Sequence, residues 1–210
     1  MKHIIITTCN FKDEFLFQKY FEVMKRAYIP SVINQSCKDF KLFIHTNKEL
    51  PHHLELIREQ FSGSDVDLDL KLTGFKEYVV REKYNIQTRH DCDDFMYPNY
   101  IEAIHDMYDR EIKNHDEFLI HAQPTKLNFY TMVEYFSGTY KPTSTSMFLS
   151  LCQKNVSKNI LQEQHLKFPS IVPNVFSLGT GFVKLIIHDN NKLSKIKPND
   201  KKIGPTDIKM

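Results

Sequence analysis

The opening residues of this chain constrain it most. His3-Ile4-Ile5-Ile6-Thr7-Thr8 is a continuous apolar, β-branched run. A run without polar alternation suits a strand covered on both faces, as in a parallel sheet. Phe17, Phe21, Met24 and Tyr28 then recur at helical spacing, predicting an amphipathic helix from about Asp13 to Tyr28. A second strand is predicted over Phe40 to His45. A helix over Pro51 to Phe61 follows, ended by Ser62-Gly63-Ser64. Val66, Leu68, Leu70 and Leu72 alternate with Asp65, Asp67, Asp69 and Lys71, the pattern of a half-exposed strand near a sheet edge. A strand over Tyr84 to His90 and a helix over Asn99 to Asn114 come next. This alternation predicts an α/β domain with a mainly parallel sheet covered on both sides.

After Glu117 the pattern changes. Short strands are expected over Phe118 to His121, Leu127 to Met132 and Ser146 to Leu151, then a helix over Ser157 to His165. A last strand runs from Phe182 to His188. From Lys192 on, Lys, Asn, Asp, Pro and Gly dominate, which reads as a tail or a linker to a further domain. The expected division is one domain over 1–191, with halves 1–116 and 117–191, and a tail over 192–210. With 210 residues, 41% of them hydrophobic, the chain can build one substantial core. A net charge of +2 gives no bulk attraction to nucleic acid or a membrane surface. Cys9, Cys37, Cys92 and Cys152 are widely spaced, which suits free thiols in the cytoplasm. The opening apolar run is too short for a signal peptide or a membrane span.

The chemistry concentrates in Thr88-Arg89-His90-Asp91-Cys92-Asp93-Asp94. Three carboxylates at a strand end repel one another unless a cation neutralises them. Mg²⁺ and Mn²⁺ prefer oxygen ligands and often complete their shells with substrate phosphates. The segment therefore reads either as a metal site facing a phosphorylated donor or as a solvated acidic turn. A calcium-binding EF-hand loop fails, because it would put Phe95 and Met96 where an oxygen ligand and a glycine are needed. An aspartyl-phosphate site would follow an apolar strand near the N-terminus, and Asp91 lies mid-chain. No glycine-rich phosphate loop and no Gly-x-Ser-x-Gly elbow occurs. Zinc is not expected, since the nearby candidates are hard oxygens rather than paired Cys and His. At the end of the first strand, Thr7, Thr8 and Asn10 supply small polar groups where open α/β sheets bind ligands.

Three segments together carry a resemblance. Pro30-Ser31-Val32-Ile33-Asn34-Gln35-Ser36 with Asp39-Phe40, the Thr88–Asp94 heptad, and His188-Asp189-Asn190-Asn191 are similar to segments of GT-A-type nucleotide-sugar glycosyltransferases, and within these to rhamnosyltransferases. The chain also resembles N-terminal glycosyltransferase domains of chlorella-virus multidomain proteins. The latter likeness implies further domains after residue 191 and a host-cytoplasmic setting. The former implies a single GT-A (Rossmann-like) domain with a DxD turn after a mid-chain strand. The implied activity is metal-dependent transfer of a sugar, such as rhamnose, from a UDP- or dTDP-sugar donor to a glycan hydroxyl. The alternative is a GT-A-like module that binds a nucleotide or glycan without turnover.

The resemblance also implies roles. Asp93, with Asp91 and His188, would hold Mn²⁺ or Mg²⁺. Asp91 would alternatively meet the donor's ribose. Asp94 would orient Arg89 or contact the sugar, and Arg89 would face the diphosphate or serve as counter-ion to the acids. Thr7, Thr8, Asn10 and Phe11, and more weakly His45 and Thr46, would line the nucleoside pocket; a simple capped turn explains the same residues. Glu163 is the expected base of an inverting reaction, or else an exposed helix acid. Phe129, Tyr130, Tyr135 and Tyr140 are available to stack on acceptor sugars or to pack in the core.

Overall fold

The computed structural model describes residues 1–9, 11–72, 83–136, 148–161, 167–189 and 195–206. The opening run forms β1 (His3–Cys9). Asp13 caps the next helix by accepting the Leu16 N–H at 2.8 Å, so α1 spans Glu14–Val23. The helical path does not stop at Tyr28. It passes through a π-helical turn, Met24–Tyr28, into α2 (Ile29–Ile33). Then come β2 (Lys41–Thr46), α3 (His52–Gln60), β3 (Asp67–Leu72), β4 (Ile86–Arg89), β5 (Phe95–Met96), α4 (Tyr100–Glu111) and β6 (Glu117–Ala122). The remainder comprises β7 (Thr125–Asn128), β8 (Val133–Phe136), β9 (Leu149–Gln153), α5 (Phe168–Ile171), β10 (Val175–Gly179), β11 (Val183–Ile187) and β12 (Lys201–Pro205). Among the described residues, no helix is long and apolar enough to cross a membrane.

Seven strands form the main sheet in the order β10-β6-β9-β4-β1-β2-β3. All run parallel except β9, which is antiparallel to β4 and β6. As expected for a mainly parallel α/β sheet, β1 is internal and helices cover the faces. The alternating β3 lies at the edge. Alternate residues of β1 feed opposite layers. Ile5 and Cys9 pack with Phe17, Phe21, Tyr28, Ile101 and Ile104, beneath α1, α2 and α4. Ile4 and Ile6 pack with Phe43, Leu149, Leu151 and Phe168 on the other side.

A second sheet has the order β12-β8-β7-β11-β5. Its Leu127, Phe129 and Ile186 pack on Val23 and Ala27 around the π-helical turn. Part of the segment expected as tail or linker belongs to this sheet, since β12 pairs antiparallel with β8. Lys126, Asp200, Lys184, Glu134 and Thr206 bond across it: Lys126 Nζ lies 2.6 Å from Asp200 Oδ2, and Lys184 pairs with Glu134 and Thr206.

Two expectations of secondary structure need correction. The strand from Leu127 ends at Asn128, whose side chain accepts the N–H groups of Tyr130 and Thr131 while Met132 takes a positive φ of 55°. The helix expected from Ser157 is not helical over Ser157–Leu161. There Gln153 Oε1 accepts the N–H groups of Ser157 and Lys158, and Gln87 Oε1 accepts that of Ile160. Buried amide side chains thus satisfy backbone donors that a helix would have left to its first turn. Residues 162–166 lie outside the described residues.

Candidate functional site

Because β1, β2 and β4 run parallel, their C-terminal ends share one edge of the main sheet. Thr8 stands opposite His45, and Ile6 opposite Arg89. Thr8 Oγ1 and His45 Nε2 are 2.9 Å apart. Thr46, next along β2, has a buried hydroxyl oxygen without a hydrogen-bond partner. After β4 the chain is still tied to β1, with the His90 N–H donating to Ile6 O at 3.1 Å. It then makes the tight acidic turn, where the Asp94 N–H donates to Asp91 O at 3.3 Å.

The turn passes from the main sheet to the second one. β5 follows directly and pairs antiparallel with β11, Val183 opposite Met96 and Lys184 opposite Phe95. That register carries the end of β11 back past the turn. His188 Nε2 thereby reaches Asp93 Oδ2 at 3.1 Å. The imidazole is buried, and the Tyr20 ring meets it edge-on at 4.9 Å. Burial, with the nearby Asp93 carboxylate second, pushes the Tyr20 hydroxyl up to about 12, so it stays protonated there.

The three acids do different things. Asp94 points inward: it is buried, and its Oδ1 accepts the Ile186 N–H at 3.1 Å. Burial, then Asp93 and Asp91, raise its carboxyl well above the usual range. Asp91 is more open, its side chain 31% exposed, and Arg89 Nε lies 3.7 Å from its Oδ1. Burial raises the Asp91 pKa, Arg89 opposes that, and Asp93 adds to it. The buried Arg89 Nε has no hydrogen-bond partner. Such a crowded turn favours a cation on electrostatic grounds, and a carboxylate with an imidazole is a donor pair that Mn²⁺ accepts. Of the expected metal set, Asp93 and His188 meet. Asp91 does not join them within 4.8 Å.

The expected nucleoside pocket divides. Thr8 and His45 are together on the sheet edge. Thr7 is fully buried on the α1 side, where its Oγ1 lies 2.5 Å from the Tyr28 hydroxyl. Phe11 is buried against Phe17 and Tyr20, and Asn47 donates to its carbonyl at 3.0 Å. Asn10, Glu163 and Tyr140 lie outside the described residues. Of the remaining aromatics, Phe129 is buried, whereas Tyr130 is 61% exposed.

The sequence singles out no role for Tyr20, and it offers Gln35 only as part of the Pro30–Phe40 segment. Tyr20 shares a helical stripe with Phe17 and Met24, and that spacing was the available signal. Gln35, within the Pro30–Phe40 segment, is buried. It donates to Ser31 O and Tyr97 O, both at 2.9 Å, and accepts the Ile101 N–H at 3.2 Å. It ties α2 to the exit of β5 and the start of α4.

No family model matches the chain, and no curated relative does. Solved structures do. Residues 1–349 of S. aureus TarS in complex with UDP-GlcNAc superpose with a TM-score of 0.58 at 8% identity, over 94% of this chain and 62% of that one. The same fragment with UDP gives 0.56 at 9% identity, over 89% and 61%. The Streptococcus pneumoniae TIGR4 glycosyltransferase GlyE gives 0.42 at 13% identity over 73% of this chain. The chain therefore spans under two thirds of the TarS fragment. What it shares with TarS is the fold: a central, mostly parallel sheet flanked by helices.

Proposed function

We propose that this chain is a metal-dependent glycosyltransferase that moves a sugar from a UDP- or dTDP-sugar to a glycan hydroxyl. One observation carries the reading. The Asp93–His188 pair, 3.1 Å apart, stands at the ligand-binding edge of a sheet whose fold is shared with a protein solved with UDP-GlcNAc. The expected setting is the cytoplasm, consistent with four free cysteines. Rhamnose is the proposed sugar, on the resemblance of the Thr88–Asp94 segment.

In this reading Asp93 and His188 hold the ion, with Asp91 completing or flanking the set. When bound, Mn²⁺ or Mg²⁺ supplies positive charge that stabilises the leaving nucleoside diphosphate. The chain's own residues do the rest. Asp94 fastens the turn to β11 through the Ile186 N–H, and so keeps Asp93 opposite His188. Tyr20 holds the imidazole ring on its edge. Arg89 balances Asp91 and lies at the same sheet edge as Thr8 and His45, which face the nucleoside. The acceptor oxygen bonds to the anomeric carbon as the bond to the diphosphate oxygen breaks. Glu163 is the proposed base for the acceptor proton if the reaction inverts configuration.

Calorimetric titration of UDP with and without Mn²⁺, followed by a donor-hydrolysis assay over a panel of UDP- and dTDP-sugars, tests this. Metal-dependent binding with turnover of one donor is expected. Binding without turnover of any donor would leave a nucleotide-binding module. No metal-dependent binding, or unaltered binding by Asp93→Ala, would remove the mechanism.

A further inference from the structure

A second cluster lies outside the acidic turn. Glu14 opens α1, and His52 and His53 open α3. Glu14 Oε2 lies 2.7 Å from His52 Nε2 and 2.9 Å from His53 Nε2. A ligand atom from each of the three residues falls within 4.8 Å of the others. We infer that Glu14, His52 and His53 form a binding site for one divalent transition ion of the zinc class, distinct from the acidic turn.

The donor chemistry selects the ion. Two imidazole nitrogens and one carboxylate oxygen suit Zn²⁺, Co²⁺ or Ni²⁺, whereas Mg²⁺ and Ca²⁺ prefer oxygen-rich shells and are poorly served by a set with two imidazoles. The site is also partly built. His53 is fully buried, and its ring stacks on Phe17 with centroids 3.5 Å apart and planes 10° from parallel. That packing fixes one imidazole before any ion arrives. Glu14 is held on its other oxygen by Gln18, at 2.5 Å. His52 and Glu14 remain about half exposed, which leaves an entry path and room for water as a further ligand.

The geometry needs only a small opening. Bonds of about 2.0–2.2 Å to a tetrahedral ion put neighbouring ligand atoms roughly 3.3–3.5 Å apart. The two spacings to Glu14, 2.7 and 2.9 Å, are shorter than this, and Glu14 and His52, both about half exposed, have room to open. Binding is reversible on two counts. The positive ends of α1 and α3 both face the site. The buried Nδ1 of His53 has no acceptor, so metallation at Nε2 leaves that N–H unsatisfied. The ion ties the β1–α1 connection to the start of α3. Asn47 already links these regions through the Phe11 carbonyl, at the sheet edge that carries Thr8 and His45.

The test titrates Zn²⁺ into the full chain by calorimetry with Mg²⁺ in excess, and records the visible spectrum of the Co²⁺ form. The comparison chains are the Glu14→Gln/His52→Ala double variant, both of whose side chains are exposed, and Asp93→Ala. The expected result is one Zn²⁺ per chain, with affinity reduced by about tenfold or more in the double variant and kept in Asp93→Ala. The Co²⁺ d–d bands should vanish in the same double variant. No zinc binding by the unaltered chain overturns the inference. So does an unchanged isotherm in the double variant, or loss confined to Asp93→Ala.

Discussion

Asp93 Oδ2 and His188 Nε2 stand 3.1 Å apart, although 95 positions separate the residues. The contact is a consequence of pairing. β5 begins immediately after the acidic turn, and its antiparallel register with β11 returns the chain to that turn. Neither residue has a local reason to meet the other. The second sheet brings them together, and the Asp94 bond to Ile186 N–H holds them there.

Removing either member of the pair should abolish the metal dependence of nucleotide binding. In Asp93→Ala and in His188→Ala, the gain in UDP affinity on adding Mn²⁺ should shrink by about tenfold or more. Parallel titrations with and without the ion measure that gain. A full metal effect in both variants would show that the ion sits elsewhere.

Asp94 should matter for architecture. Asp94→Ala leaves the Ile186 N–H buried without an acceptor, at a cost of roughly 1–3 kcal/mol. Asp94→Asn keeps an oxygen that can accept that N–H, so its stability should stay near that of the unaltered chain. Urea unfolding of the two variants separates them; equal stability would mean that the bond contributes nothing.

The Thr7–Tyr28 contact gives a cleaner energetic test. Tyr28→Phe leaves the buried Thr7 hydroxyl unpaired and should cost about 1–2 kcal/mol. Adding Thr7→Val should recover much of the loss, because both partners are then gone. Additive losses in the cycle would show that the two hydroxyls do not interact.

Acid should destabilise the fold through buried imidazoles. His3 lies between His105 Nε2, at 3.0 Å, and Thr88 Oγ1, at 2.7 Å. Burial, with His105 second, holds the His3 pKa well below its ordinary 6.5; burial also lowers that of His105. Burial holds His90 at about 4. At these histidines the unfolded chain therefore binds more protons than the folded one below the ordinary value of 6.5, whereas the raised carboxyls of Asp94 and Asp91 act in the opposite direction. The histidine contribution to stability is whole above that value and falls as pH drops through it toward the lowered folded values. Melting temperatures recorded between about pH 7.5 and 5 should decline, and His3→Gln should decline less steeply. An identical slope in the variant would remove His3 from this account.

Much of the main sheet could be read from residue patterns because burial leaves a periodic signature. Ile4, Ile5 and Ile6 are apolar on both faces since helices cover both, and Val66 to Leu72 alternates because β3 lies at an edge. The acidic turn could be placed at a strand end for the same reason. Pairing partners leave no such signature. Nothing in Leu149–Gln153 marks it as the one antiparallel strand, inserted between β4 and β6, and two-residue β5 is too short to show a period. The strand over Lys201–Pro205 reads as tail because its residues are largely polar and exposed; pairing with β8 makes it a strand.

Residue chemistry alone therefore placed an oxygen-rich turn mid-chain and small polar groups after the first strand. Which way each side chain faces was settled by packing. Thr7 and Thr8 are adjacent and chemically alike, yet one bonds to Tyr28 in the core and the other to His45 at the sheet edge, because neighbouring residues of a strand point to opposite faces. Asp93 and Asp94 divide in the same way, one toward His188 and one onto a backbone N–H. Glu14 meets His52 and His53 across 38 and 39 positions because α1 and α3 begin side by side. Sequence spacing cannot encode that juxtaposition, since backbone pairing and helix packing over long separations create it.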